Sequence, residues 1–266
     1  MSDDGHDTAN GSQMIRGATG ASPERFGPTD GAALVSQGDV DCGTHAVSVT
    51  GGSGRLALWH RNFPGLIAGS IHEVAPTDRP ALARLLSAQG LTVHVHATAD
   101  DGDIAGLWTA VAATHPAPID VHVIGSEAFV DDMLPAVLAA RPGRVFLPFS
   151  TFTDRRAAVI RGADVRAWIT VWDEWDDTSA PRWPADPDGV LVILTEPGTT
   201  DRCRGAQQVK VAAECAAQFP ALPVMVEGSI TESFAPVCAA AGVQQMVVGR
   251  ALLNTLMTVS DTGEAC

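Results

Sequence analysis

From Gly65 to the last residues, short apolar runs alternate with longer stretches whose apolar positions recur every three or four residues. "GLIAGSI" reads as a buried strand, and "PTDRPALARLLSAQG" after it as a helix with Thr77 or Asp78 as cap, Pro80 in the first turn and Gly90 as the stop. The alternation continues through strand "LTVHVHA" and a helix from Ile104, strand "IDVHVI" and a helix from Glu127, and strand "RVFLPF" and a helix from Asp154. Strand "VRAWITV" leads into "WDEWDDTSAPRWPADPDG", in which no helix can be placed. Strand "GVLVILT" with a helix from Ala206, strand "PVMVEG" with a helix from Thr231, and strand "QQMVVG" with a helix from Ala251 complete the series. Strands separated by helices form parallel sheets, and eight such units in roughly 190 residues fit a closed α/β barrel, the (β/α)8 TIM barrel, better than an open doubly wound sheet.

The barrel is expected over residues 65–258. Residues 1–40 are rich in Gly, Ser, Thr, Asp and Asn with few large apolar side chains, a composition that buries too little to order itself and predicts a flexible polar tail. Within 41–64, "HAVSVTGGSGRLALWH" (His45 to His60) shows two alternating runs around a Gly-rich turn and predicts a hairpin capping one end of the core. Residues 259–266 read as a C-terminal tail.

Composition narrows the function. The 266 residues, 45% of them hydrophobic, suffice for one large core. Seventeen basic against thirty-one acidic residues give a formal charge of -14, which disfavours nucleic acid and anionic membrane as partners. A small anion remains compatible, because backbone amides at helix N-termini bind phosphate locally. The start lacks the basic and apolar regions of a secretory signal, and no apolar run is long enough to span a bilayer, so a soluble cytoplasmic protein is expected. Cys42, Cys203, Cys215, Cys238 and Cys266 are odd in number, contain no CxxC pair and read as free thiols.

In such barrels the chemistry lies at the C-terminal ends of the strands. There the sequence puts His94 and His96 on one face of the second strand, His122 on the third at about the depth of His94, Glu196 after the sixth and Glu227 at the tip of the seventh. Imidazole nitrogens and a carboxylate are the ligands zinc, iron or manganese takes, and three protein ligands with an open position make a catalytic site. Barrel interiors also hold histidines purely for packing, and the spacing by itself leaves both readings open.

The order of short motifs resembles the ribulose-phosphate 3-epimerase family. The chain carries "GSIH" with Ser70, "HVH" with His94 and His96 followed by "DG" at Asp101 and Gly102, and "DVHVI" with His122. It goes on with "LVILTEPG" ending at Gly198, "VEGSI" with Glu227, and "VVGRAL" with Gly249. The likeness covers about residues 66 to 255. It implies metal-dependent 3-epimerisation of a ketose phosphate, either a pentulose 5-phosphate or a hexulose 6-phosphate such as allulose 6-phosphate. The reaction would pass through an enediolate, with one divalent ion (Zn, Fe, Mn or Co) held by His94, His96, His122 and Glu227. Ser70, Gly198, Gly228, Ser229, Gly249 and Arg250 fall where the resemblance implies substrate and phosphate binding. A homo-oligomer acting on a small sugar phosphate is the corresponding expectation.

The departures from the family pattern alter the chemistry. His96 stands where the family has aspartate, and an imidazole lone pair given to a metal cannot also act as a base. Glu227 lengthens an aspartate by one methylene, and the family's three methionines become Thr98, Ile124 and Ile193. Paired glycines are lost from "EPGTTDRCRG", so Arg250, Arg202 or Arg204 would have to supply a guanidinium for phosphate. His96 and Glu227 are the expected acid/base pair, facing each other across the barrel mouth, with Asp100 and Asp101 as alternative acids. A related decarboxylase or lyase reading is weak, because the sole lysine, Lys210, lies in a helix. A non-catalytic or altered barrel that binds a sugar phosphate is the other alternative.

Overall fold

The computed structural model describes residues 53–99, 104–113, 118–175, 182–197, 199 and 202–252. The expected tails at 1–40 and 259–266, and Asp100, Asp101, Gly102 and Gly198, lie outside these residues. Eight parallel strands close into one barrel in sequence order: β1 (Ile67–Ser70), β2 (Thr92–Thr98), β3 (Ile119–Ile124), β4 (Arg144–Pro148), β5 (Arg166–Val171), β6 (Val190–Ile193), β7 (Val224–Glu227) and β8 (Gln245–Val248). The (β/α)8 barrel read from the alternation is therefore the fold.

One expected element is wrong. Residues Ser53–Asn62 form helix α1, not the second arm of a hairpin, and the first arm lies outside the described residues. Leu56, Trp59 and Phe63 are buried while Leu58 is exposed, which is helical spacing. An alternating strand would have put Leu56 and Leu58 on the same face. His60 and Arg61 in the last turn suit the negative end of the helix dipole.

Helices α2 (Arg79–Ala88), α3 (Ile104–Ala113), α4 (Glu127–Ala139), α5 (Asp154–Gly162), α6 (Gly205–Gln218) and α7 (Ala235–Ala240) follow β1, β2, β3, β4, β6 and β7. The chain is helical again at 250–252. At the end of α2, Gly90 takes φ +74, and the amides of Gly90 and Leu91 close on the carbonyls of Ser87 and Leu86, satisfying two orphan acceptors. Asp78 sits at the N-cap of α2 without a side-chain capping bond, whereas Ser126 and Thr153 cap α4 and α5 by accepting from the amides of Phe129 and Arg156. The helix expected from Thr231 begins instead at Ala235, after a turn in which the Thr231 hydroxyl accepts from the Phe234 amide.

Between β5 and β6 the described residues contain no helix. Trp175, Trp183 and Phe219 form an aromatic triangle with ring separations of 5.8–6.3 Å. Gln208 and Glu214 of α6 bind the Trp172 carbonyl and the Trp175 indole. These tilted and edge-on aromatic contacts, with the two hydrogen bonds, tie the stretch after β5 to α6 and the residue that follows it.

Alternate strand residues divide the core. Val93, Val95, Val121, Val123, Val145 and their neighbours face the helices, and Ala68, Phe146, Trp168, Leu191, Met225 and Val247 fill the barrel interior. Toward the N-terminal ends of the strands, buried Asp120 accepts from Arg144 Nε at 2.7 Å, and Arg144 Nη2 also donates to Gln245. That paired charge and the apolar layer close the barrel from below, so the space above them at the strand C-termini is where a ligand can enter. Among the described residues, no helix is long and apolar enough to cross a membrane.

Candidate metal centre

The interior-facing positions above the apolar layer carry the sequence-selected histidines. His94 and His96 occupy successive inward positions of β2, His122 the inward position of β3, and Glu227 the last residue of β7. Backbone pairing sets His122 level with His96, and His94 level with Asp120, so the expected match in depth between His94 and His122 is corrected by one inward position. All three rings nevertheless converge: their centroids lie 5.2 Å (His94–His96), 5.3 Å (His96–His122) and 6.1 Å (His94–His122) apart.

Glu227 joins them. Its Oε2 lies 3.5 Å from His94 Nε2 and 3.3 Å from His122 Nδ1, and its Oε1 bonds to His96 Nε2. One donor atom from each of the four residues lies within 4.8 Å of the others. Among the described residues, His94 Nε2, His122 Nδ1 and Glu227 Oε2 are buried yet accept or donate no hydrogen bond. Buried polar atoms normally have partners, so three such atoms pointing at one another need something between them. Ligands bound at about 2.0–2.1 Å in a tetrahedron stand roughly 3.4 Å apart, close to the two ion-pair separations here. The cluster can therefore hold a metal ion.

The protonation states agree with this. Burial pushes His122 down to about 4, against the upward pull of Glu227, leaving a neutral imidazole at neutral pH. Burial alone would raise the Glu227 carboxyl, but the His96 and His94 rings beside it outweigh that and hold it well below the usual carboxylate range. Neutral imidazole and ionised carboxylate are the forms that coordinate metals.

The remaining sequence-selected residues surround this centre unevenly. Ser70, buried at the end of β1, accepts from the His72 amide at 3.4 Å. Gly228 takes φ +114, and a Cβ there would lie 2.8 Å from Thr195 Oγ1, so only glycine fits. Ser229, at φ +50, accepts from the Thr195 hydroxyl at 3.0 Å and from Arg250 Nη2 at 3.5 Å. A Cβ on Gly249 would meet the Glu73 side chain at 3.0 Å, and Glu73 Oε2 lies 3.5 Å from Arg250 Nε. Arg202 pairs with Glu196, and Arg204 with Asp173 over the face of Trp172. Glu196 is thereby placed in a surface pair and outside the four-donor cluster. His96 and Glu227 do not face each other across an open mouth as expected; they touch.

One residue escaped the sequence reading. His72, two residues beyond Ser70, lies with its ring 4.9 Å from that of His96. The period of two that singled out His94 and His96 also runs through Ala68, Ser70 and His72, and would have found it.

Fold and centre together define a (β/α)8 barrel with a candidate three-histidine, one-glutamate metal site at the C-terminal ends of its strands. No family model matches the chain. Among solved structures, that of the Amycolatopsis orientalis BexX/CysO complex aligns with a TM-score of 0.53 and 15% identity, over 73% of this chain and 84% of that one. A cube-shaped, porous protein cage designed by fusing symmetric oligomeric domains aligns at 0.51 and 11%, over 72% and 68%. A native KDPGal structure aligns at 0.50 and 11%, over 72% and 91%. At identities this low the likeness is one of fold alone.

Proposed function

We propose that this barrel is an isomerase, a metal-dependent 3-epimerase of a ketose phosphate. The observation that carries the reading is the convergence of three imidazole nitrogens and one carboxylate oxygen, from β2, β3 and β7, at the mouth of the barrel. A bound divalent ion of the zinc, iron(II), manganese or cobalt type would supply Lewis-acid polarisation of the C2 carbonyl. The protein's part is to remove and return the proton at C3. Glu227, the one carboxylate of the cluster, is the group assigned to accept that proton, leaving the substrate as an enediolate.

Residues around the mouth suit a polar, anionic tail on the substrate. Ser70, Gly228, Ser229, Gly249 and Arg250 belong to the ends of β1, β7 and β8 and the residues just after them. Arg250 is engaged with Glu73, so a phosphate bound there would take the place of that carboxylate as its partner. The oligomeric state expected for such an enzyme is more than one chain.

The test is incubation of the metal-loaded protein in heavy water with a panel of pentulose 5-phosphates and hexulose 6-phosphates, followed by NMR. The expected result is deuterium at C3 with conversion to the 3-epimer, lost on chelation and restored by the ion. Glu227→Gln is expected to lower turnover by at least about 100-fold, the scale of a lost general base. If no ketose phosphate exchanges at C3, the epimerase reading fails.

A further inference from the structure

We infer that the substrate is apolar at the end remote from its phosphate: the site fits a ketose phosphate with a methyl group at C1, a 1-deoxyketose phosphate, better than one with the usual hydroxymethyl group. The inference rests on the epimerase reading and on the anionic tail lying at the ends of β7, β8 and β1. The polar groups of the mouth are gathered on one side of it. Glu227 ends β7, Ser229 and Arg250 come just after β7 and β8, Ser70 ends β1, and His96 lies on β2. These four strands are consecutive around the closed barrel, and β4 and β5 stand opposite β8 and β1.

The opposite side is built differently. His122 belongs to the four-residue cluster, and Phe146 and Trp168 fill the barrel interior. A strand's period of two then turns Ile124, Pro148 and Thr170 inward as well, one position nearer the mouth. Backbone pairing sets His122 beside Phe146 and Pro148 beside Thr170, so these three residues form one level across β3, β4 and β5. On β6, Ile193 packs against the interior cluster and pairs with Glu227, which closes the arc. Among the described residues this arc gives a substrate hydroxyl little to bind. Ile124, Pro148 and Ile193 carry no side-chain donor or acceptor. Thr170 is buried with its proton already donated to the Leu147 carbonyl at 3.3 Å, and Thr151, beyond β4, donates to the Pro148 carbonyl at 3.1 Å. The charged side chains after β5 and β6 hold each other, Arg204 with Asp173 and Arg202 with Glu196.

The connectivity of the substrate turns this asymmetry into selectivity. C2 and C3 react at the cluster, and the phosphate lies beyond C3 on the side of β7, β8 and β1. C1 is bonded to C2 on its other side, so it extends toward β4, β5 and β6. A hydroxyl at C1 would leave water for a wall that offers it no free donor, and burying a polar group without a partner is costly. A methyl group there meets only surfaces that suit it.

The experiment gives metal-loaded wild-type protein matched pairs of pentulose 5-phosphates and hexulose 6-phosphates in heavy water, the members of each pair differing only in CH2OH or CH3 at C1. NMR reads kcat/KM for deuterium exchange at C3. The methyl member is expected to be favoured by about 10- to 100-fold, the scale on which an apolar site rejects an added hydroxyl. Ile124→Thr and Ile193→Thr each bring a hydroxyl to the arc, and at least one of them should shrink that preference by about threefold or more. The preference is a ratio of two substrates on one protein, so a partly unfolded variant does not distort it. Equal rates, or a preference for the hydroxymethyl member, would overturn the inference and leave the epimerase reading standing. A preference that neither variant alters would overturn its assignment to this arc. Exchange with no member of any pair removes the epimerase reading and this selectivity with it.

Discussion

At the scale of single residues the centre is a store of acid sensitivity. His122 titrates near 4 when folded because burial disfavours its cation, against an ordinary value of 6.5. Between those values the unfolded chain binds the proton and the folded chain does not, so stability falls as the pH drops from 6.5 to 4 and is fully present above 6.5. Glu227, whose folded value is depressed, adds a loss in the same direction at lower pH. Urea unfolding of metal-free protein should show this fall, on the order of 3 kcal/mol across the His122 window. His122→Gln, which removes the titrating group, should flatten that part of the profile; an unchanged slope would mean that another group is responsible. The four cluster residues were legible in the sequence because a strand's period of two assigns each a face. The contact between Glu227 and His96 was not, because it depends on how far the closed barrel brings β7 toward β2, which no local pattern records.

At the scale of elements, tight packing sets which backbone positions tolerate a side chain. Gly189, just before β6, would put a Cβ 2.4 Å from the ring of Trp168, which is fully buried in the barrel interior. Gly189→Ala should therefore destabilise by about 1–3 kcal/mol, the usual cost of overpacking. Gly162, the last residue of α5, has open space where its Cβ would go and no positive φ. Gly162→Ala should stabilise by about 0.4–1 kcal/mol by narrowing the unfolded ensemble. Denaturant midpoints measure both, and equal effects of like sign would contradict this packing. The strands were legible to within a residue or two because each is a short apolar run bounded by polar or Gly- and Pro-containing stretches. Helix α1 was not: over so short a span, "GRLALWH" fits an alternating strand as well as a helix, and only the burial of Leu56, Trp59 and Phe63 together decides it. The Trp-rich passage after β5 resisted reading for another reason, since its described part packs through Trp175, Trp183 and Phe219 and carries no helical period of its own.

At the scale of the whole molecule the candidate ligands are distant in sequence and adjacent only when the barrel closes. His94 and His96 lie on β2 and His122 on β3, while Glu227 lies on β7, on the opposite side of the strand order. The unfolded chain does not assemble the four, so an ion that binds them binds the folded state preferentially and adds RT ln(1 + [L]/Kd) to its stability. At free zinc or manganese a hundred times the dissociation constant this is about 2.7 kcal/mol, which for a barrel of this size raises the melting temperature by roughly 5–10 °C. Protein purified without chelator is expected to carry about one ion per chain, to melt lower after dialysis against chelator, and to recover on adding the ion back. His94→Ala with His122→Ala removes two of the four donors and should abolish the ion-dependent increment. That increment is a difference taken within one variant, so a lower starting stability does not obscure it. A rise of equal size in the double variant would place the bound ion elsewhere on this acidic chain, and the centre at the barrel mouth would lose its metal.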